Sequence, residues 1–140
     1  MIVWTGVRRS ATVSNMINIL LVAIGGAAGS VCRYLFGAMA LRTIGAAFPW
    51  NTLGVNIIGS LAIGFLAEAI IRGVSAPLDL RLLLITGFLG GFTTFSAFSL
   101  DVWLLYERGE VISAALYVAA SVVLSLLATG AGIAIARLSF

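Results

Sequence analysis

The sequence predicts an all-α membrane protein with four transmembrane helices, the third of them broken near mid-membrane. Three observations lead there. The chain of 140 residues is 61% hydrophobic and only 9% charged, whereas an average soluble domain carries about 25% charged residues. So few charges cannot coat a water-facing surface. The apolar residues fall into four runs, each near the ~20 residues that cross a bilayer, joined by connections too short for a soluble domain. Within the third run, residues 87–99 read GFLGGFTTFSAFS, so glycines and hydroxyls interrupt a segment that should be continuous apolar helix.

Residues 1–15, MIVWTGVRRSATVSN, are polar and show no clear period. They are expected to form a tail, disordered or lying at the interface, or to precede the true start at Met16. The four-helix membrane domain is then residues 16–140. A signal peptide is not expected, because the apolar run after Arg8 and Arg9 is long and shows no cleavage signal.

The first span is placed at about Ile17 to Leu41. Gly25, Gly29, Arg33 and Gly37 recur every four residues, and small residues on one stripe let two helices approach closely. The loop Arg42–Asn51 contains Pro49-Trp50, and tryptophan suits a membrane interface. The second span runs from about Thr52 to Ile71, with Asn56, Ser60, Gly64 and Glu68 at the same spacing. Gly73 and Pro77 mark a turn over Arg72–Asp79. The third span covers roughly Leu80 to Leu105 and ends in the polar turn Tyr106–Glu110. The fourth runs from about Val111 to Arg137, with Tyr117, Ser121, Ser125 and Thr129 on one stripe. Any one stripe fits a packing seam as well as a polar path. Stripes on three spans beside an interrupted one favour a path.

The interruption has a physical cost. In hydrocarbon every backbone N–H and C=O needs a partner within the protein, and a glycine costs ~1 kcal/mol in a helix interior. Gly87, Gly90 and Gly91 fall within one short stretch. Irregular backbone at this depth survives where protein buries it or where it lines a wet cavity. Freed carbonyls can then bind cations, and freed N–H groups can bind anions. Phe95 and Phe98 are three residues apart and share a face if helix resumes. An aromatic ring has a positive edge, which can solvate a small anion. Spacing alone favours the plainer reading of these rings, as core or lipid-facing packing.

Composition also excludes functions. All eight basic residues are arginines, scattered singly at loop ends apart from Arg8-Arg9, and nucleic-acid binding needs them clustered on one water-facing surface. The absence of histidine and the single Cys32 exclude the usual zinc sites. They also exclude a Ser-His or Cys-His catalytic pair, so no enzyme is expected. Cys32 is expected to be a small buried residue.

Four segments carry a resemblance: TGFLGGFTTFSAFS (Thr86–Ser99), GGAAGSVCRY (Gly25–Tyr34), PWNTLGVNIIGS (Pro49–Ser60) and YVAASVVLS (Tyr117–Ser125). Together they resemble the CrcB/Fluc family of fluoride channels, over nearly the whole chain from Met16 onward. The resemblance implies a fluoride-selective channel for passive efflux across the bacterial inner membrane. It implies a homodimer of antiparallel subunits (dual topology) embedded in membrane lipid. It also implies a structural sodium ion at the dimer centre, held by the backbone carbonyls of Gly90 and Thr93. The implied ion pathway is Arg33 at the mouth, Asn56 on the second span, the ring edges of Phe95 and Phe98, and the track of Tyr117, Ser121 and Ser125. Asp101 fills an acidic position beyond the phenylalanines. Ala97 departs from the family, which commonly has threonine there.

Two other readings compete. A small dimeric multidrug or cation–proton exchanger needs a membrane-embedded carboxylate, and here Glu68 and Asp101 lie near span ends. A packing subunit of a larger complex would bury its stripes against unrelated partners. Arg8, Arg9, Arg72, Arg81 and Arg137 on one side against Arg42 and Arg108 on the other favour a cytoplasmic N-terminus; without Arg8 and Arg9 the count is three against two and chooses no orientation.

Overall fold

Backbone polar groups inside a bilayer leave the helix as the obvious structure for such apolar runs, and the computed structural model, which describes residues 11–140, is helical almost throughout. Helix α1 spans Ala11–Thr43 and α2 spans Trp50–Ile71. The third passage is composite: α3 (Leu78–Arg81) runs into a π-helical segment (Leu82–Leu89), then α4 (Gly90–Phe92), then α5 (Phe95–Glu107). Helix α6 spans Val111–Ser139. Four stretches are long and apolar enough to cross a membrane: Val13–Thr43, Trp50–Ile71, Leu78–Glu107 and Val111–Ser139. The chain is a multi-pass membrane protein.

The helices run past most of the expected limits. Trp50, expected in a loop, opens α2. Residues 11–15, expected in the tail, form the start of α1; residues 1–10 lie outside the described residues.

Two helix ends show why the turns fall where they do. After α2, the Gly73 N–H donates to the Ile70 carbonyl and the Val74 N–H to the Ala69 carbonyl. After α5, Gly109 donates to Tyr106 and Glu110 to Leu105. Both are Schellman closures, which pair orphan carbonyls and need a left-handed residue. Gly73 and Gly109 supply it, with φ of 99° and 79°.

Packing is carried by backbone approach rather than by large side chains. Helix α2 lies along α6, α1 lies along the π-helical segment and α4, and α5 rests on α6. A Cβ added at Gly25 would strike the Leu83 carbonyl oxygen, and one at Gly29 the Phe88 carbonyl oxygen. Gly64 and Gly132 play the same part between α2 and α6, against the carbonyls of Thr129 and Leu61. Lipid tails are as apolar as leucine, so close contact through small residues is what holds such helices together.

This corrects the expectation for residues 87–91. Gly87, Gly90 and Gly91 remain in helical segments. Gly87 lies against Gly25, and Gly91 against the Gly26 carbonyl. Gly87 and Gly91 serve the seam with α1, whereas Gly90 does not touch it. The residues that leave the helix are the next two, Thr93 and Thr94.

A small core of Leu53, Leu105, Ala114 and Tyr117 closes one end of the bundle, with Phe48, Ile57, Phe98 and Val102 packed on it. Cys32, expected to be buried, is exposed on α1, because the buried stripe of that helix is carried by Gly25 and Gly29.

Candidate functional site

The site begins with two threonines. β-Branched residues favour extended backbone, and Thr93 (φ −83°, ψ 159°) and Thr94 (φ −156°, ψ 123°) adopt it between α4 and α5. The Thr93 N–H keeps its i−4 helical partner, and the Thr94 N–H needs a new one. The Thr93 N–H and hydroxyl both donate back to the Leu89 carbonyl, at 3.0 and 2.8 Å. The Thr94 hydroxyl accepts from the Ala97 N–H at 3.2 Å, capping the first turn of α5 as a threonine N-cap does.

Asn56 completes the arrangement from α2. Its Oδ1 accepts from the Thr94 N–H at 2.8 Å, and its Nδ2 donates to the Thr94 carbonyl at 3.0 Å. One side-chain amide therefore pairs with both backbone groups of Thr94, whose N–H has left its helical partner. A primary amide carries two N–H donors, so the second remains for another acceptor. Arg33 reaches the neighbouring carbonyl from α1: its Nη1 donates to Thr93 O at 3.3 Å.

Because the Thr94 N–H is turned to Asn56, it no longer serves Gly90, its i−4 carbonyl. Gly90 itself is exposed, and a Cβ added there would meet only the Ile85 carbonyl oxygen, at 4.0 Å. The Gly90 carbonyl is thus a helix-terminal orphan of the usual kind, on an open flank.

A groove of about 530 Å³ runs past this interruption. It is lined by Asn56 and Ser60 of α2, Gly90, Thr93 and Thr94, Phe95 and Phe98 of α5, and Ser121 and Ser125 of α6. The two phenylalanine rings lie 5.4 Å apart and tilted by 46°. Phe95 is 78% exposed, so its ring faces outward from a single chain. The Ser121 side chain is only 6% exposed, and its hydroxyl has no hydrogen-bond partner among the described residues.

A second groove, of about 540 Å³, holds Arg33 with Ser30, Tyr34, Thr52 and Ala97, and it shares Thr94 with the first. The clamped threonine is the wall between them. Arg33 therefore sits in a separate recess that adjoins the first groove at this point.

Tyr117 is placed differently from expectation. It is fully buried, with its ring 5.4 Å from both Phe98 and Phe48, and its hydroxyl donates to Asp101 at 3.2 Å. It is not among the residues lining either groove. It backs Phe98 from the core, one layer behind the groove. The every-fourth-residue pattern could not separate these positions, since a stripe drifts around a helix and its members reach different neighbours.

Thr94 was missed by sequence reasoning, although a threonine immediately before a resumed apolar helix is an N-cap signal. Glu68, the residue on which an exchanger would depend, is taken up by two arginines. Its Oε1 accepts from Arg72 Nε and Arg137 Nε, both at 2.9 Å. A carboxylate held this way is poorly disposed to trade protons.

Residues 20–133 match the family model described as CrcB-like protein, Camphor Resistance (CrcB). The chain is similar to proteins named fluoride-specific ion channel FluC. It is 61% identical to that of Rhizobium etli over 122 residues, which cover 87% of this chain and 98% of the relative. Identity is 55% to that of Agrobacterium fabrum and 52% to that of Chelativorans sp., with the same shares covered. The relatives are named as channels, not enzymes. On the match of well over half its length, with relatives this similar along nearly their whole sequence, the chain belongs to the CrcB-like family.

Proposed function

We propose that this chain forms a fluoride-selective channel giving passive efflux of fluoride across the bacterial inner membrane, assembled as an antiparallel homodimer. One observation carries the reading: Asn56, Phe95, Phe98, Ser121 and Ser125, from three different passages, line one groove beside the extended Thr93 and Thr94.

Fluoride is small and strongly hydrated, so shedding water is the main cost of its passage. The groove offers replacements in series. The Ser121 hydroxyl has no partner among the described residues and can donate to an ion. Asn56 keeps one N–H free of Thr94. Phe95 and Phe98 present ring edges, whose positive rim attracts an anion without a formal charge. Conduction requires several sites of modest strength rather than one deep well, and neutral donors meet that requirement. Arg33, in the adjoining recess, raises the local anion concentration as charged clefts do. Tyr117 acts from behind, fixing the Phe98 ring. The outward exposure of Phe95 supports a second copy completing the pathway, since one chain leaves that ring uncovered.

The sodium reading rests on the chemistry of the donors. Carbonyl oxygens at unwound backbone and at half-helix C-terminal ends coordinate sodium in membrane transporters, and Gly90 and Thr93 offer carbonyls of these kinds. The flank of Gly90 is open, and the Thr93 oxygen keeps one lone pair beyond its bond to Arg33. One chain supplies too few oxygens, so a second copy would share the ion. Bound there, sodium would add fixed positive charge and join the two copies.

The test is fluoride-electrode efflux from vesicles reconstituted with the purified chain, with chloride as the comparison ion. Rapid, voltage-driven release of fluoride alone is expected, with Phe95→Ile and Phe98→Ile each slowing it at least about tenfold, the loss of roughly 1.4 kcal/mol at the narrowest point. Equal release of chloride defeats the selectivity claim, and wild-type rates in both mutants defeat the ring-edge mechanism.

A further inference from the structure

A cluster at the far end of the bundle is not used by the ion pathway. The C-terminal turns of α2 and α6 bring Arg72 and Arg137 onto a single oxygen of Glu68. Two guanidinium groups against one carboxylate leave an excess of one positive charge. Both contacts use Nε, so the terminal nitrogens of each fork remain for another acceptor. The Glu68 side chain is 11% exposed, whereas those of Arg72 and Arg137 are 40% and 58% exposed. The carboxylate is the floor of the cluster and the arginines are its rim.

The rim is flanked by apolar side chains. Ile71, beside Arg72, is 78% exposed, and Leu138, beside Arg137, is 89% exposed. Phe140 is 60% exposed and tilts against Phe65 at 6.3 Å. Paired cationic forks with bare aliphatic groups next to them match a ligand that has an anionic head and an apolar body. Arginine binds phosphate oxygens through its planar fork. The ends of membrane-spanning helices also lie at the depth of headgroups.

We infer that Arg72 and Arg137, seated on Glu68, form a binding site for the phosphate of an anionic phospholipid, with its acyl chains against Ile71 and Leu138. An anionic lipid with one negative charge neutralises the excess. A zwitterionic lipid brings its own cation and does not. In an antiparallel dimer the two copies of the site face opposite leaflets. The inference is independent of which ion the channel carries.

The test is native mass spectrometry of the full-length purified protein with phosphatidylglycerol, with phosphatidylcholine, and with inorganic phosphate as competitor. Preferential retention of phosphatidylglycerol is expected. Arg137→Gln should weaken it about fivefold, the weight of one arginine near anionic lipid, and Arg72→Gln should act alike. Glu68→Gln should strengthen it, because it removes the competing carboxylate; if that variant does not fold, the two arginine variants decide. Equal retention of both lipids, or unchanged retention in both arginine variants, overturns the site. Displacement of phosphatidylglycerol by inorganic phosphate at equal concentration would reassign it to free phosphate and overturn the lipid assignment.

Discussion

Asn56 shows how one side chain can set a site without being its chemical centre. The extended backbone of Thr94 is tolerable only because an amide pairs with both its N–H and its C=O. Asn56→Leu should therefore lower stability by about 1–3 kcal/mol for each backbone group left unpaired. It should abolish fluoride flux as well. Thermal unfolding in detergent and vesicle efflux read the two effects, and an unchanged melting temperature would show that Thr94 holds its shape alone. Ser121 is the converse case. Its buried hydroxyl has no partner among the described residues, and an unpaired buried hydroxyl costs free energy. Ser121→Ala is thus expected to leave stability unchanged or raise it slightly while slowing fluoride efflux. Loss of stability with normal flux would mean that the hydroxyl belongs to the scaffold.

Between helices, glycine decides how near two backbones come. Two glycines of α6 provide an internal comparison. A Cβ at Gly132 would strike the Leu61 carbonyl oxygen, whereas one at Gly130 meets nothing within 4 Å. Gly132→Ala should cost about 1–3 kcal/mol by overpacking. Gly130→Ala should be neutral or gain up to about 1 kcal/mol from helix propensity. Unfolding midpoints in a denaturing detergent series would rank the two, and the reverse order would exclude a tight α2–α6 seam at Leu61. The third passage follows the same logic. Its glycines keep the π-helical segment and α4 against α1, and that support lets the chain leave the helix two residues later.

At the scale of the molecule, a single chain leaves Phe95 exposed and the Gly90 flank open. The proposed antiparallel pair would cover both. With Arg8 and Arg9 set aside, three arginines on one side stand against two on the other, and the positive-inside rule orients a chain only through a clear excess. Both orientations should therefore occur in one membrane. Glu110→Cys in a Cys32→Ser background tests this in intact cells. An impermeant maleimide should label about half the chains from outside and the remainder only after permeabilisation, as two equal orientations require. Complete labelling from one side would exclude dual topology.

The sequence by itself determined the class of this protein: charge is too scarce for a water-facing surface, and apolar runs of spanning length can satisfy their backbones in lipid only as helices. It also marked the neighbourhood of the site, because the glycines and hydroxyls of GFLGGFTTFSAFS interrupt what should be a continuous apolar helix. Only the tertiary structure decided what each residue does there. Gly87 and Gly91 looked like the break and proved to be a packing surface, since a missing Cβ serves a kink and a close contact equally well. Tyr117 shared a stripe with Ser121 yet lies in the core, because helical spacing reports a face and not what stands opposite it. Asn56 and Thr94, 38 residues apart, became partners only when α2 came to lie beside the extended threonines. No local pattern records that distance, and the hydrogen bonds across it hold the site open.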